Sequence, residues 1–108
     1  MFAADIVRLV KRLPRDVAGY AIGRQLIRSG TLVGANMREA DVAESRRDFI
    51  HKMKIALKEA NETDYWLCLI QETMFNNVEL QALVTECDEI IRIINTIIVN
   101  TLTKGQKH

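Results

Sequence analysis

The sequence predicts an all-α fold, an antiparallel up-down-up-down four-helix bundle, on three observations. Its 108 residues contain one proline and five glycines, so little interrupts long helices. Apolar residues recur at intervals of three and four along most of the chain, which is the spacing of one helix face. The polar breaks between these stretches are short, and short connections place consecutive helices antiparallel. The length suits one domain, residues 1–108, around one hydrophobic core.

The first helix is predicted over residues 2–13 from a single apolar stripe. Its members are spaced four, three and four positions apart, and they are Phe2, Ile6, Leu9 and Leu13. Pro14 ends this helix, because its ring and its missing N–H disrupt helical hydrogen bonding. The basic residues of the same segment lie on another face, turned away from the stripe.

The second helix is predicted over residues 16–43, with Asp16 as its N-cap. Each of the four glycines in this stretch destabilises a helix interior by about 1 kcal/mol relative to alanine. Two interpretations follow: the segment breaks around residues 29–31, or one helix continues and its glycines let a neighbouring helix approach closely. The apolar spacing passes through Gly30 without a change of register, which favours the continuous helix.

The third and fourth helices have clear start signals. Ser45 begins a sequence that resembles a capping box, and the helix after it is predicted over residues 46–75. Asn77 can cap a helix over residues 78–102, which carries two neighbouring apolar seams. Residues 103–108 are expected to fray. The doubled seam offers more apolar surface than one small bundle needs, so we expect a homo-oligomer.

The composition argues against several functional classes. No stretch approaches the roughly 18 apolar residues of a membrane span, and the N-terminus lacks the apolar core of a secretion signal. The two cysteines form no CxxC motif and are expected to be reduced thiols of a cytoplasmic protein. The two histidines, His51 and His108, do not complete the Glu-x-x-His motifs of a di-iron bundle. We therefore expect no metal, no cofactor, no catalytic residue and no enzymatic activity.

Polar residues of the second and third helices are predicted to form a structural network. Lys52 and Glu59 are one heptad apart and share a helix face close to the apolar seam. One interpretation is a buried or interfacial ion-pair network that fixes helix register and partner choice. The other is a ligand site, which has no further support in the sequence, so the structural interpretation is favoured. The set comprises Asn36, Arg38, Glu39, Lys52, Glu59, Glu62 and Tyr65.

Charge is distributed unevenly, although the formal net charge is only +1. Residues 1–30 contain six basic and two acidic residues, whereas residues 61–108 contain three and seven. The basic residues not offset by the acidic second half are candidates for phosphate contacts with nucleic acid. They are Arg8, Lys11, Arg12, Arg15, Arg24, Arg28, Arg46 and Arg47. The alternative is a solvated helix surface, and an oligomer favours binding by placing several copies of these residues side by side.

Two stretches closely resemble a known family, the bacterial four-helix-bundle proteins encoded in intervening sequences of 23S rRNA genes. They read RQLIRSGTLVGANMREA and ESRRDFIHKMKIALKEANETDYWL. The resemblance extends from about Phe2 to Met74 and includes many positions at fixed spacing. Among these positions are Ser29-Gly30-Thr31, Arg38-Glu39-Ala40, Asp48-Phe49, Lys58-Glu59 and Tyr65-Trp66-Leu67.

The resemblance implies an antiparallel four-helix bundle that assembles as a ring-shaped homopentamer. A related branch, the accessory proteins of diversity-generating retroelements, binds nucleic acid and contacts a reverse transcriptase. The expected partners are therefore further copies of this chain, RNA or DNA, and a nucleic-acid-processing protein. We expect a non-enzymatic accessory factor associated with RNA or ribonucleoprotein. The alternative is a structural or protein-interaction module that binds no nucleic acid.

Overall fold

A computed structural model describes residues 1–106 of the chain, with side chains through residue 104. Within these residues the protein consists of four α-helices and no strands, which confirms the all-α prediction. The helices are α1 (Phe2–Val10), α2 (Val17–Asp41), α3 (Arg46–Thr73) and α4 (Val78–Gln106). Side chains cap three of them at the predicted positions, which are Asp16, Ser45 and Asn77.

Consecutive helices pack against one another, and α1 also packs against α4, which closes the bundle. The contacts show that neighbours run antiparallel. Arg28 and Ser29 in the middle of α2 meet the middle of α3, whereas Glu39 near the end of α2 meets Lys52 near the start of α3. The protein measures 55 × 21 × 19 Å, as expected for long helices lying side by side.

The predicted end of the first helix at residue 13 is wrong, because α1 ends at Val10. The N–H groups of Arg12 and Leu13 donate to the carbonyls of Leu9 and Val10, at 2.9 and 3.2 Å. These bonds reach back three residues and tighten the chain into a turn. Proline disfavours the α conformation at the residue before it, so Leu13 leaves the helix. Leu13 nevertheless stays buried in the core.

The other helices also end at positions that differ from the prediction. α2 ends at Asp41 and α3 at Thr73, in each case two residues early. After α2 the N–H groups of the next two residues donate to carbonyls three residues back, whereas after α3 the N–H of Phe75 donates to the carbonyl of Ile70, five residues back. α4 continues four residues beyond the predicted end and reaches Gln106. No proline or glycine precedes Gly105 in this helix, so nothing in the sequence stops it earlier. Residues 107 and 108 lie outside the described part of the chain.

The glycines of α2 allow α1 to approach a single continuous helix, as favoured from the sequence. A Cβ atom on Gly30 would lie 3.0 Å from Cγ2 of Ile6, and one on Gly19 would overlap the carbonyl oxygen of Pro14. Gly34 differs, because a Cβ atom there would meet nothing within 4 Å. Gly30 therefore serves the α1–α2 contact and Gly19 serves the contact with the connection before α2, whereas a side chain on Gly34 would enter open space.

The core has two parts, because α1 is much shorter than the other helices. The first lies where all four helices meet and contains large side chains such as Ile6, Leu26, Leu67 and Leu83. The second lies toward the α2–α3 connection and is built by α2, α3 and α4 alone. Three of its seven buried members are alanines: Ala40, Ala56 and Ala60. The bundle therefore has a four-helix end and a three-helix end.

Candidate nucleic-acid interface

The eight basic residues predicted to contact nucleic acid occupy two separate places on one protomer. Most of them lie on α1, on the α1–α2 connection or on the first half of α2. Arg46 and Arg47 instead begin α3, at the far end of α2. The 25 residues of α2 span about 37 Å at 1.5 Å per residue. One protomer therefore does not present all eight residues on one continuous surface.

The expectation that the acidic second half of the chain leaves these residues unpaired is wrong for Arg12 and Arg28, and a third residue, Arg8, is paired within its own helix. Arg8 pairs with Asp5 of its own helix at 2.7 Å. Arg12 forms an ion pair with Glu79, because the antiparallel packing of α1 and α4 brings the start of α4 to the end of α1. Arg28 pairs with two carboxylates of α3.

Lys11, Arg15 and Arg24 converge on one cavity of about 430 Å³ at the corner between α1 and α2. Among the residues that the structure describes, none of the three has a carboxylate within ion-pair distance. The apolar part of the lining includes Val10, Leu13, Pro14 and Ile27. We call this cavity the α1–α2 groove.

An aromatic side chain that the sequence reasoning missed also lines the α1–α2 groove. Tyr20 lines the groove and is 62% exposed, which is more than is usual for a tyrosine. It precedes Arg24 by four residues, so the two lie on the same face of α2. This spacing of an aromatic and a basic residue is the signal in the sequence that could have identified it.

Arg28 is the centre of the ion-pair network between α2 and α3. Its guanidinium donates to Glu59 at 2.9 Å and to Glu62 at 2.6 Å. The hydrogen bond from Arg28 lowers the pKa of Glu62 from its ordinary value, and the two carboxylates raise the pKa of Arg28. Beneath this cluster the Thr63 hydroxyl donates to the Ser29 hydroxyl at 2.9 Å. The Arg28 guanidinium is thus bound to carboxylates of α3 and is not free to contact phosphate.

The remaining predicted network residues do not join Arg28. Lys52 pairs with Glu39, with Nζ and Oε2 3.2 Å apart. The Asn36 side chain donates to the Leu32 carbonyl of its own helix. Arg38 is exposed and forms no ion pair among the described residues. Tyr65 is exposed and contacts the edge of the Trp66 ring. The predicted set is therefore one cluster, one separate ion pair, two residues with local contacts and the exposed Arg38.

The described residues offer few groups for catalysis. No set of three or more His, Cys, Asp or Glu side chains there is arranged to hold a metal ion. Cys87 and Cys68 are both free, but only Cys87 is fully buried. Burial raises the pKa of the Cys87 thiol to about 12 and also raises that of Cys68, so both are protonated at neutral pH. Within residues 1–106, no helix is long and apolar enough to cross a membrane.

Comparison with known proteins identifies the family. The family model described as 23S rRNA-intervening sequence protein matches residues 1–96, most of the chain. The chain belongs to this family. The resemblance found in the sequence is thereby confirmed, and the matched residues include all of α1, α2 and α3. No curated protein matches the chain.

A solved structure of a related protein has the same fold as this chain. It is a crystal structure, at 1.70 Å resolution, of a protein with unknown function from the S23 ribosomal protein family of Bacteroides thetaiotaomicron VPI-5482. The two chains are 44% identical, with a TM-score of 0.81, and the match covers 90% of this chain and 91% of that one. The similarity spans nearly the whole bundle, and neither description names a ligand or a reaction.

Proposed function

We propose that this chain is a non-enzymatic, homo-oligomeric accessory protein that binds RNA or DNA through phosphate contacts. The observation that supports this proposal is the α1–α2 groove, where Lys11, Arg15 and Arg24 converge and no carboxylate of the described residues lies within ion-pair distance of them. Phosphate oxygens are the natural partners of such unpaired cations. The family description, which refers to a 23S rRNA intervening sequence, agrees with a role near RNA.

Assembly strengthens this proposal, because three cations alone bind nucleic acid weakly. Large apolar side chains of α4 are exposed at the three-helix end, among them Ile93, Val99 and Leu102. Burying them between copies of the chain supports a homo-oligomer, and a ring of five is the arrangement that we propose. A ring repeats the α1–α2 groove in every subunit, so one strand of nucleic acid contacts several grooves and gains avidity.

The test is a binding measurement across a range of salt concentrations, made with structured RNA and with duplex DNA. We expect the logarithm of the affinity for duplex DNA to fall by about 0.9 per phosphate neutralised for each tenfold rise in salt. Replacing Lys11, Arg15 and Arg24 with glutamate should abolish retention on RNA without changing the oligomer mass, because these side chains border an open groove.

The matched control reverses Arg46 and Arg47 at the other end of α2 to glutamate. We expect this variant to bind more weakly than the wild type but to retain salt-sensitive binding. A wild-type protein that shows no salt-sensitive binding even at low ionic strength contradicts the proposal.

The alternative function is a structural or protein-interaction module that binds no nucleic acid. The observation that favours it is the outer face of α4, where Glu86 and Glu89 lie with Val78 and Gln81 around a broad depression. Acidic and apolar groups on one surface repel phosphate and suit a protein partner. An intact oligomer that fails to bind any nucleic acid supports this alternative.

A further inference from the structure

The α1–α2 groove combines two kinds of side chain that recognise different parts of one nucleotide. Lys11, Arg15 and Arg24 supply positive charge around its rim, and Tyr20 supplies an exposed aromatic ring. We infer that this groove is a binding site for an unpaired nucleotide within a strand of RNA or DNA, whose base stacks on Tyr20 while its phosphates contact the three cations. This inference rests on the proposed function and deepens it by naming the site and the form of nucleic acid.

Tyr20 is suited to stacking because its ring has no aromatic or cationic partner among the described residues. Tyr65 provides the comparison within the same molecule. It is 60% exposed, nearly as much as Tyr20, but its ring packs against Trp66 with the centroids 5.0 Å apart. Stacking of a base on an aromatic side chain tolerates any sequence, because every base has a flat face.

The three cations are placed to contact successive phosphates of a strand. Lys11 and Arg15 lie on the connection between α1 and α2, whereas Arg24 lies two turns inside α2 on the opposite side of Tyr20 in the sequence. A strand that leaves a base on Tyr20 therefore has positive charge available on both sides of that base. The groove volume of about 430 Å³ lies within the range of small-ligand pockets.

A paired base does not fit this site, because the bases of a duplex are already stacked on one another and are closed to Tyr20. The site should therefore bind single strands more tightly than duplexes, a preference that phosphate contacts alone would not produce. A second copy of this chain is the competing occupant, since the acidic residues Glu86 and Glu89 of its α4 would also complement the three cations. The exposed ring of Tyr20 favours the nucleotide, because a carboxylate gains nothing from an aromatic face.

The experiment uses the full-length protein and three probes: a single-stranded RNA of about 12 nucleotides containing 2-aminopurine, the matching RNA duplex, and adenosine monophosphate. Fluorescence quenching of 2-aminopurine reports stacking, and anisotropy reports total binding. The variants are Tyr20→Ala, Tyr20→Phe and, as the matched control, Tyr65→Ala. The protein should tolerate Tyr20→Ala, because the side chain is exposed and alanine favours the helix.

We expect the wild type to quench 2-aminopurine and to bind the single strand more tightly than the duplex. Tyr20→Ala should lower the affinity for the single strand about tenfold or more and abolish quenching, with duplex binding unchanged. Tyr20→Phe and Tyr65→Ala should behave like the wild type.

Three results would overturn the inference. The first is salt-sensitive binding that Tyr20→Ala leaves unchanged, which would preserve the proposed function while removing this site from it. The second is a Tyr20→Ala protein that changes oligomer mass but binds RNA normally, which would assign the groove to a second copy. The third is adenosine monophosphate binding as tightly as the strand. Failure of the wild type to bind either RNA at low salt would instead overturn the proposed function itself.

Discussion

The Arg28 ion pairs illustrate, at the scale of single residues, how access to water determines the contribution of an ion pair to stability. Glu59 is 5% exposed, whereas the side chain of Arg28 is 44% exposed and that of Glu62 is 29% exposed. Removing one partner of a fully buried ion pair costs about 3–5 kcal/mol, because the other charge is left in the protein interior. Here the partner left behind keeps both water and a second carboxylate, so the cost is smaller.

Glu59→Ala should lower the free energy of unfolding by about 1–2 kcal/mol, as measured by denaturant melting. Glu62→Ala is the control and should cost less, since Glu62 is more exposed. The hydrogen bond from Arg28 holds the pKa of Glu62 below its ordinary value of 4.5. The Glu62 pair therefore stabilises the fold above that value, and its contribution disappears as the pH falls through the lowered pKa. A Glu59→Ala protein that melts like the wild type would contradict a role for this pair in stability.

At the scale of helices, the patterns in the sequence predict starts better than ends. Asp16 and Ser45 are polar side chains next to a change in apolar spacing, and each caps its helix as expected. The end of α1 depends on Pro14 acting through Leu13, and that effect on the preceding residue is easily missed. Pairing across helices is harder still. The sequence indicates that Glu59 needs a basic partner, but Arg28 becomes that partner only once α2 and α3 are aligned.

The α1–α2 groove is a second feature that could not be predicted from the sequence alone. Its three cations are visible as basic residues, but so are Arg12 and Arg28, which α4 and α3 neutralise. Only the packing of the helices distinguishes the paired arginines from the unpaired cations, because each acidic partner is distant in sequence. The pattern of charge along the chain therefore predicts candidates, and the arrangement of the helices selects among them.

Two glycines of α2 provide a matched pair of tests at this scale. Gly34→Ala should raise the free energy of unfolding by up to about 1 kcal/mol, because alanine favours the helix and its Cβ meets nothing within 4 Å. Gly30→Ala should lower it, because the added Cβ would crowd three atoms of the fully buried Ile6, at 3.0 to 3.4 Å. Thermal melting of both variants checks the pair, and a Gly30→Ala protein more stable than Gly34→Ala would contradict this account of the α1–α2 contact.

At the scale of the whole molecule, the difference between the two ends of the bundle determines where copies of the chain can meet. α1 is 9 residues long and the other helices have 25 to 29, so α1 covers only part of the bundle. The exposed apolar residues Ile93, Val99 and Leu102 all lie on the part of α4 beyond that cover. Exposed apolar side chains of this kind are stable in water when neighbouring subunits cover them.

We expect native mass spectrometry or light scattering at micromolar concentration to show a homo-oligomer, with five subunits the proposed number. Replacing Ile93 and Val99 with glutamate should shift the protein toward the monomer, because each change places a charge at an exposed apolar position of this part of α4. The control introduces glutamate in the same way at exposed Val17 and Val78, which lie at the other end of the bundle, and should leave the oligomer mass unchanged. A wild-type protein that is a stable, soluble monomer would contradict the proposed assembly.

The short first helix also divides the molecule into regions that open to solvent at different rates. At the four-helix end, leucine and isoleucine side chains from every helix hold the backbone in place. At the three-helix end, Ala40, Ala56 and Ala60 bury less surface and one neighbour is missing. Amide hydrogens there require less free energy to become exposed, so they exchange with solvent sooner than those around Leu26 and Leu67. Assembly that covers this end would slow exchange there and even out the protection along the bundle.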